Sequence, residues 1–311
     1  MTILNLQSDG LPSILISLAL TIAKEKEVVR ENLIEMCSPP AVGTANEKDT
    51  DNASSARLRA TLNRWTGFGL FDDADGKIKL KFPPKRGELL NSYALRLPDL
   101  CCELLFQREV ASPLWASDGA VSEENTGRSA DLCRGLAWCL AQDIYTIPSV
   151  YSEVEDVIRS QVEAGRFIIL NDTRWGGLRT WARYLGFATG NDSGFLFDPT
   201  LVVRSQLKVV MTENESLPAA EFVSRISSRL PVLDRGVYRI EVEGALKKET
   251  WRQPAPDHLS SSLSFALRRL QKQGVIAFES MADAGARMAL TGQSGRTWED
   301  FTHVRLLRGK A

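Results

Sequence analysis

Asp234, Glu241, Glu243 and Lys247 are the residues whose types and spacing come nearest to a reactive centre. Clustered carboxylates can hold Mg²⁺ and a nearby lysine can face a scissile phosphate, the arrangement of a metal-dependent nuclease. Gly236-Val237-Tyr238-Arg239-Ile240-Glu241-Val242 alternates as a strand does, which would put Glu241 and Glu243 on one face. The lysine, however, lies four residues past Glu243, where the pattern wants it about two past the acid. Ion pairing on an exposed strand accounts for the same residues.

No other reactive pattern is legible. There is no glycine-rich loop ending in Gly-Lys-Ser/Thr and no dinucleotide fingerprint. Gly190-Asn191-Asp192-Ser193-Gly194 lacks the spacing of a nucleophile elbow. His258 and His303 fall at a helix start and in a terminal strand, where capping or surface roles suffice. Cys37, Cys101, Cys102, Cys133 and Cys139 have no zinc-ribbon spacing, and their odd count fits reduced thiols in a cytoplasm. No catalytic residue, metal or cofactor is assigned.

Basic residues are the stronger signal. Arg57, Arg59 and Arg64 lie on one helical stretch with no acid between them. Arg174, Arg179 and Arg183 repeat the arrangement, and Arg268, Arg269 and Lys272 repeat it again. Lys77, Lys79 and Lys81 alternate along an extended run and so share a face. Cations free of neighbouring acids are what contact with nucleic-acid phosphates needs. Outer helix faces also carry such charge in ordinary soluble proteins, and the same surfaces can dock protein partners.

The elements that hold these residues follow a plan. Helices are expected over about 11–23, 29–37 and 53–66, the second stopped by Ser38-Pro39-Pro40 and the third by Gly67. A polar loop, Gly43 to Asn52, separates the last two. Leu58, Leu62 and Trp65 form the inner stripe of the third helix. Phe68 to Phe71 and Lys77 to Phe82, joined through Asp75-Gly76, read as a β-hairpin. Three helices and a hairpin are the layout of a winged helix-turn-helix, whose third helix can enter the major groove while its wing touches phosphates.

The C-terminal stretch repeats the layout. It has a helix over 219–230, a helix capped by Asp257 and running to Gln273, and a hairpin from Val275–Glu279 back through Arg287–Leu290. Phe301 to Leu307 reads as a closing strand. A third copy is expected where Trp175 to Phe187 resembles Leu58 to Phe68, with Phe195-Leu196-Phe197 as its wing. Helices over 89–107, 129–143 and 149–164 form a spacer, with an exposed polar loop at Ser112–Gly127. The fold expected is α+β and mostly helical, with tandem winged-helix domains flanking a helical spacer. Its parts are a winged-helix domain at 1–87, an acidic spacer at 88–164, a second unit at 165–215 and a C-terminal domain at 216–311.

Charge follows the same division. Residues 1–86 carry 12 Lys/Arg against 11 Asp/Glu, residues 87–164 carry 5 against 13, and residues 165–311 carry 21 against 15. The formal net charge of -1 is therefore a cancellation of +1, -8 and +6. That speaks against a lone DNA-coating protein and for one member of a complex. The apolar run Ile14 to Ala23 follows Asp9 with nothing basic before it. It reads as a buried helix, neither a signal peptide nor a membrane span.

Length, the opening Ser8-Asp9-Gly10-Leu11-Pro12 leading into an apolar helix, and the tandem layout together resemble DpdG-type proteins. These are accessory components of bacterial gene clusters that place deazapurines in DNA and restrict unmodified DNA. The resemblance implies a cytoplasmic subunit of a phage-defence complex, partnered with ATPase or helicase-like proteins. The small tandem winged-helix partners of chromosome-condensing complexes share the architecture but lack a long helical spacer. The reading is a non-enzymatic adaptor on double-stranded DNA. Its alternatives are a dimeric winged-helix transcription regulator and a Mg-dependent nuclease.

Overall fold

In the computed structural model the described residues are 3–4, 11–38, 47–116, 125–191, 194–281 and 286–308. Ser8–Gly10, Pro39–Asn46, Asp192, Ser193 and the 117–124 part of the expected polar loop lie outside them. The fold is α+β and about half helical, with small sheets.

The N-terminal elements are α1 (Pro12–Glu25), β1 (Val28–Val29), α2 (Arg30–Cys37), α3 (Glu47–Phe68), β2 (Phe71–Ala74) and β3 (Lys77–Leu80). α1 opens with proline, whose fixed φ suits a first helical position, and buries Leu15, Leu18, Ala19 and Ile22. α3 is longer than its apolar stripe implied, taking in Glu47–Asn52 from the expected loop. It ends at Gly69 (φ +92°) and not at Gly67, since only the former needs the left-handed conformation. Asp75 and Gly76 both have positive φ, closing the hairpin in the primed type of turn. β3 lies between β1 and β2, antiparallel to each.

The middle holds α4 (Leu90–Leu105), α5 (Arg108–Ala111), α6 (Ala130–Ala141), α7 (Tyr151–Gln161), α8 (Asp172–Tyr184) and α9 (Thr200–Val210). Every residue of α6 is buried, so it is the central helix and not an amphipathic one. Leu114, Trp115 and Ala116 of the expected polar loop are also buried, and the Trp115 indole N–H donates to Phe167 O at 2.7 Å. Trp65 of α3 meets Trp181 of α8 with ring centroids 5.7 Å apart, joining the first sheet's helices to the middle layer. No wing follows α8. Thr189 and Leu196 form one isolated bridge, after which Asp198 receives Thr200 N–H at 3.0 Å and starts α9.

Ile3 and Leu4 are buried between α6 and α8. Leu4 N–H donates to Asp131 Oδ2 at 2.9 Å, and a Cβ on Gly177 would stand 2.2 Å from Leu4 O. Gly177→Ala is therefore expected to force this segment out, at about 1–3 kcal/mol. An unchanged denaturation midpoint would show that the segment does not brace α8.

The C-terminal elements are β4 (Ser216–Pro218), α10 (Ala219–Arg229), α11 (Val237–Glu243), α12 (Ser261–Lys272), β5 (Ile276–Glu279), β6 (Met288–Thr291), β7 (Thr297–Phe301) and β8 (His303–Leu306). The run expected as a strand is α11, a helix. Pro231 O accepts Tyr238 N–H and Arg239 N–H at 3.1 and 3.0 Å, satisfying first-turn donors. Tyr238, Arg239 and Val242 face inward while Val237 and Ile240 face out, so alternation misread a helix with apolar residues on both faces. Ser260, not Asp257, caps α12 by accepting Leu263 N–H. β5 pairs with β8 rather than with Arg287–Leu290, giving the sheet order β4-β8-β5. β6 pairs with β7 instead, and Ala289 binds the 257–259 segment through Asp257 O and Leu259 N–H. No described helix is long and apolar enough to cross a membrane.

Candidate nucleic-acid interface

On α3, burial of Leu58, Leu62 and Trp65 turns Arg57 into solvent and leaves Arg59 on the surface and Arg64 half-buried. Arg59 is not acid-free in space. Glu31 of α2 accepts its two terminal nitrogens at 2.6 and 2.5 Å, and those bonds hold the Glu31 carboxyl below its ordinary range. Arg30 likewise spans Asp73 and Asn63 at 2.9 and 2.8 Å.

The hairpin presents Lys77, Lys79 and Lys81 outward while Ile78 and Leu80 turn in. Glu27, just before β1, takes Lys77 at 3.0 Å and Lys79 at 2.5 Å. Those hydrogen bonds, the one from Lys79 first, lower the Glu27 carboxyl's pKa. Lys81 carries no ion pair among the described residues, and exposed Lys85 and Arg86 follow it. Lys77 to Arg86 thus contains five cations and no acid, a signal in the sequence that the alternating pattern of the strand concealed.

The loop after the hairpin is held by Glu88. It accepts Arg96 Nε and Nη2 at 2.9 and 2.8 Å and Lys85 N–H at 2.7 Å. The Arg96 bonds, and then the backbone bond, push its carboxyl down from 4.5 to about 2. A carboxyl with a depressed folded pKa stabilises fully above its ordinary value and loses that contribution as pH falls toward the folded one. The difference in unfolding midpoint between wild type and Glu88→Gln should therefore be constant above pH 4.5 and vanish toward about pH 2. A difference that ignores pH would take the ionised carboxylate out of the loop's support.

The other two clusters are more engaged. Arg174 stands 4.0 Å from Asp131, Arg179 and Arg183 lie over the Phe195 ring, and Arg183 also donates to Gly190 O. Arg268 pairs with Glu299, and Arg269 pairs with the buried Asp198. Lys272 is exposed and has no ion pair among the described residues. The acids come from remote chain positions, which is why acid-free runs in sequence did not stay acid-free in space.

The carboxylates first considered do not converge. On helix α11, positions two apart point to different sides, so Glu241 and Glu243 share no face. Asp234 accepts Ser260 N–H and O–H, each at 2.6 Å, and Glu243 accepts Arg239 Nε at 2.5 Å. Glu241 takes a backbone hydrogen bond from Leu114, burial raising its carboxyl's pKa, while Lys247 Nζ donates to Arg159 O. No group of three or more His, Cys, Asp or Glu among the described residues could hold a metal. Cys101, Cys102, Cys133 and Cys139 are buried free thiols, their pKa values raised by desolvation.

Fold and surface define an α+β protein, about half helical, with one sheet order used twice and an acid-free basic run from Lys77 to Arg86. The chain belongs to the DpdG-like family, whose model matches residues 1–284. That membership points to a role in a deazapurine-modification and defence cluster. No curated protein and no solved structure matches the chain.

Proposed function

We propose that the chain is a non-enzymatic adaptor that contacts double-stranded DNA within a deazapurine-modification and defence complex, beside ATPase or helicase-like subunits in the cytoplasm. Family membership supports the setting. The DNA reading rests on one observation above the others: from Lys77 to Arg86 five exposed cations follow one another with no acid between them, and Arg57 of α3 is exposed as well. The order α1-β1-α2-α3-β2-β3 with β3 central supports a winged helix-turn-helix reading, in which α3 would face the groove and β2–β3 would be the wing.

The same plan supports a second winged unit, α9-β4-α10-α12-β5-β8 with β8 central. Here α11 and the β6–β7 hairpin are insertions, and the unit takes in part of the 165–215 stretch. Its Arg268 and Arg269 are engaged by acids, which favours protein docking for this unit and DNA contact for the first. The test is fluorescence anisotropy on a labelled duplex of about two helical turns, titrated with salt. Binding whose salt slope falls when Arg57, Lys77, Lys79 and Lys81 become alanine supports the reading. Absence of binding, or an unchanged slope, overturns it.

A further inference from the structure

We infer that the outer face of α11 and the hollows beside it are a docking site for an acidic peptide segment with apolar anchors, carried by a partner protein. Val237 and Ile240, one helical turn apart, are 61% and 58% exposed, although an amphipathic helix of this length normally hides such residues. Ile240 borders a hollow of about 540 Å³ whose apolar lining also includes Gly244, Leu246 and Trp251. Trp251 is fixed there from behind, its indole N–H donating to Ala141 O.

The hollow does not end at Trp251. A second one of about 630 Å³ meets it at Arg252 and Gln253 and runs on past Pro254, Ala255 and His258. A channel following one chain segment over this length suits an extended peptide better than a compact small molecule.

Charge decides the chemistry of the occupant. The one acid that lines the apolar hollow, Glu243, is already engaged by Arg239. Lys248 and Arg252 line the same hollow, are exposed, and have no ion pair among the described residues. A peptide that places leucine or aromatic side chains into the hollow and Asp or Glu against Lys248 and Arg252 satisfies both features. This surface is distinct from the basic face of the first sheet, so it gives an adaptor two independent contacts.

The test is selection of random 12-residue displayed peptides on the full chain. Enriched peptides should carry apolar anchors flanked by acids, and synthetic copies should lose at least about tenfold in affinity against Ile240→Asp and against Lys248→Glu/Arg252→Glu. The far-ultraviolet spectrum and duplex binding of these variants should match wild type, since none of the substituted side chains is buried. The absence of enriched peptides, enrichment of basic ones, or equal binding to the variants would overturn the inference. Duplex binding is read in the same preparations, so a failure of this site and a failure of the DNA reading are separable.

Discussion

Replacing Arg239 by alanine is expected to lower stability by about 3–5 kcal/mol, read as a fall in the urea midpoint at unchanged slope. The side chain is 1% exposed and lies between Glu243, 2.5 Å from Nε, and Asp234, 3.8 Å from Nη1. Deleting it strands two shielded carboxylates without a countercharge, which costs more than the lost contacts. Asp234 cannot relax into water without releasing Ser260, whose N–H and O–H it accepts, and Ser260 is the cap of α12. The damage should therefore reach the third helix of the C-terminal sheet. Arg305→Ala is the control: its pair with Glu279 is partly exposed, and such pairs contribute about 0–1 kcal/mol. A loss for Arg239→Ala no larger than the control's would show that water already screens the buried group.

The second large effect is electrostatic. On duplex DNA each neutralised phosphate contributes about 0.9 to the slope of log affinity against log salt. Removing Arg57, Lys77, Lys79 and Lys81 together should lower that slope by about 1.8, the share of Arg57 and Lys81, since Lys77 and Lys79 already share Glu27, and should weaken binding well over tenfold at low salt. Arg268, Arg269 and Lys272 are the contrasting set. Two of them are tied to Glu299 and Asp198, so their removal should change the slope by about one contact at most. Glu27→Gln runs the other way. It frees Lys77 and Lys79 from their shared partner and should tighten binding. Equal effects from the two basic sets would remove the preference for the first sheet's face.

What was legible in the sequence was mainly local. Pro12, the Leu58-Leu62-Trp65 stripe and Asp75-Gly76 mark their elements because a helix start, a helix face and a tight turn are decided within a few residues. The errors sit where a distant partner decides. Val237 to Val242 alternates, but Pro231 O and the inward Arg239 make it a helix. Val275–Glu279 was given Arg287–Leu290 as its hairpin neighbour because that run is near in sequence, whereas β8 is its neighbour in space. The surroundings of the candidate site are illegible in the sequence for the same reason. Basic residues are visible one by one, but the acids Glu27, Glu31, Asp198 and Glu299 that answer them arrive through the fold.

The central place of β8 governs when each sheet can close during synthesis. The first sheet draws all its strands from residues 28–80, so it can be complete while most of the chain is still unmade. The second waits for residues 303–306, because β4 and β5 pair only through β8. Until those residues leave the ribosome, both strands present open edges, the state most prone to pairing with another chain. The nascent chain thus carries a finished first sheet ahead of an unfinished second one.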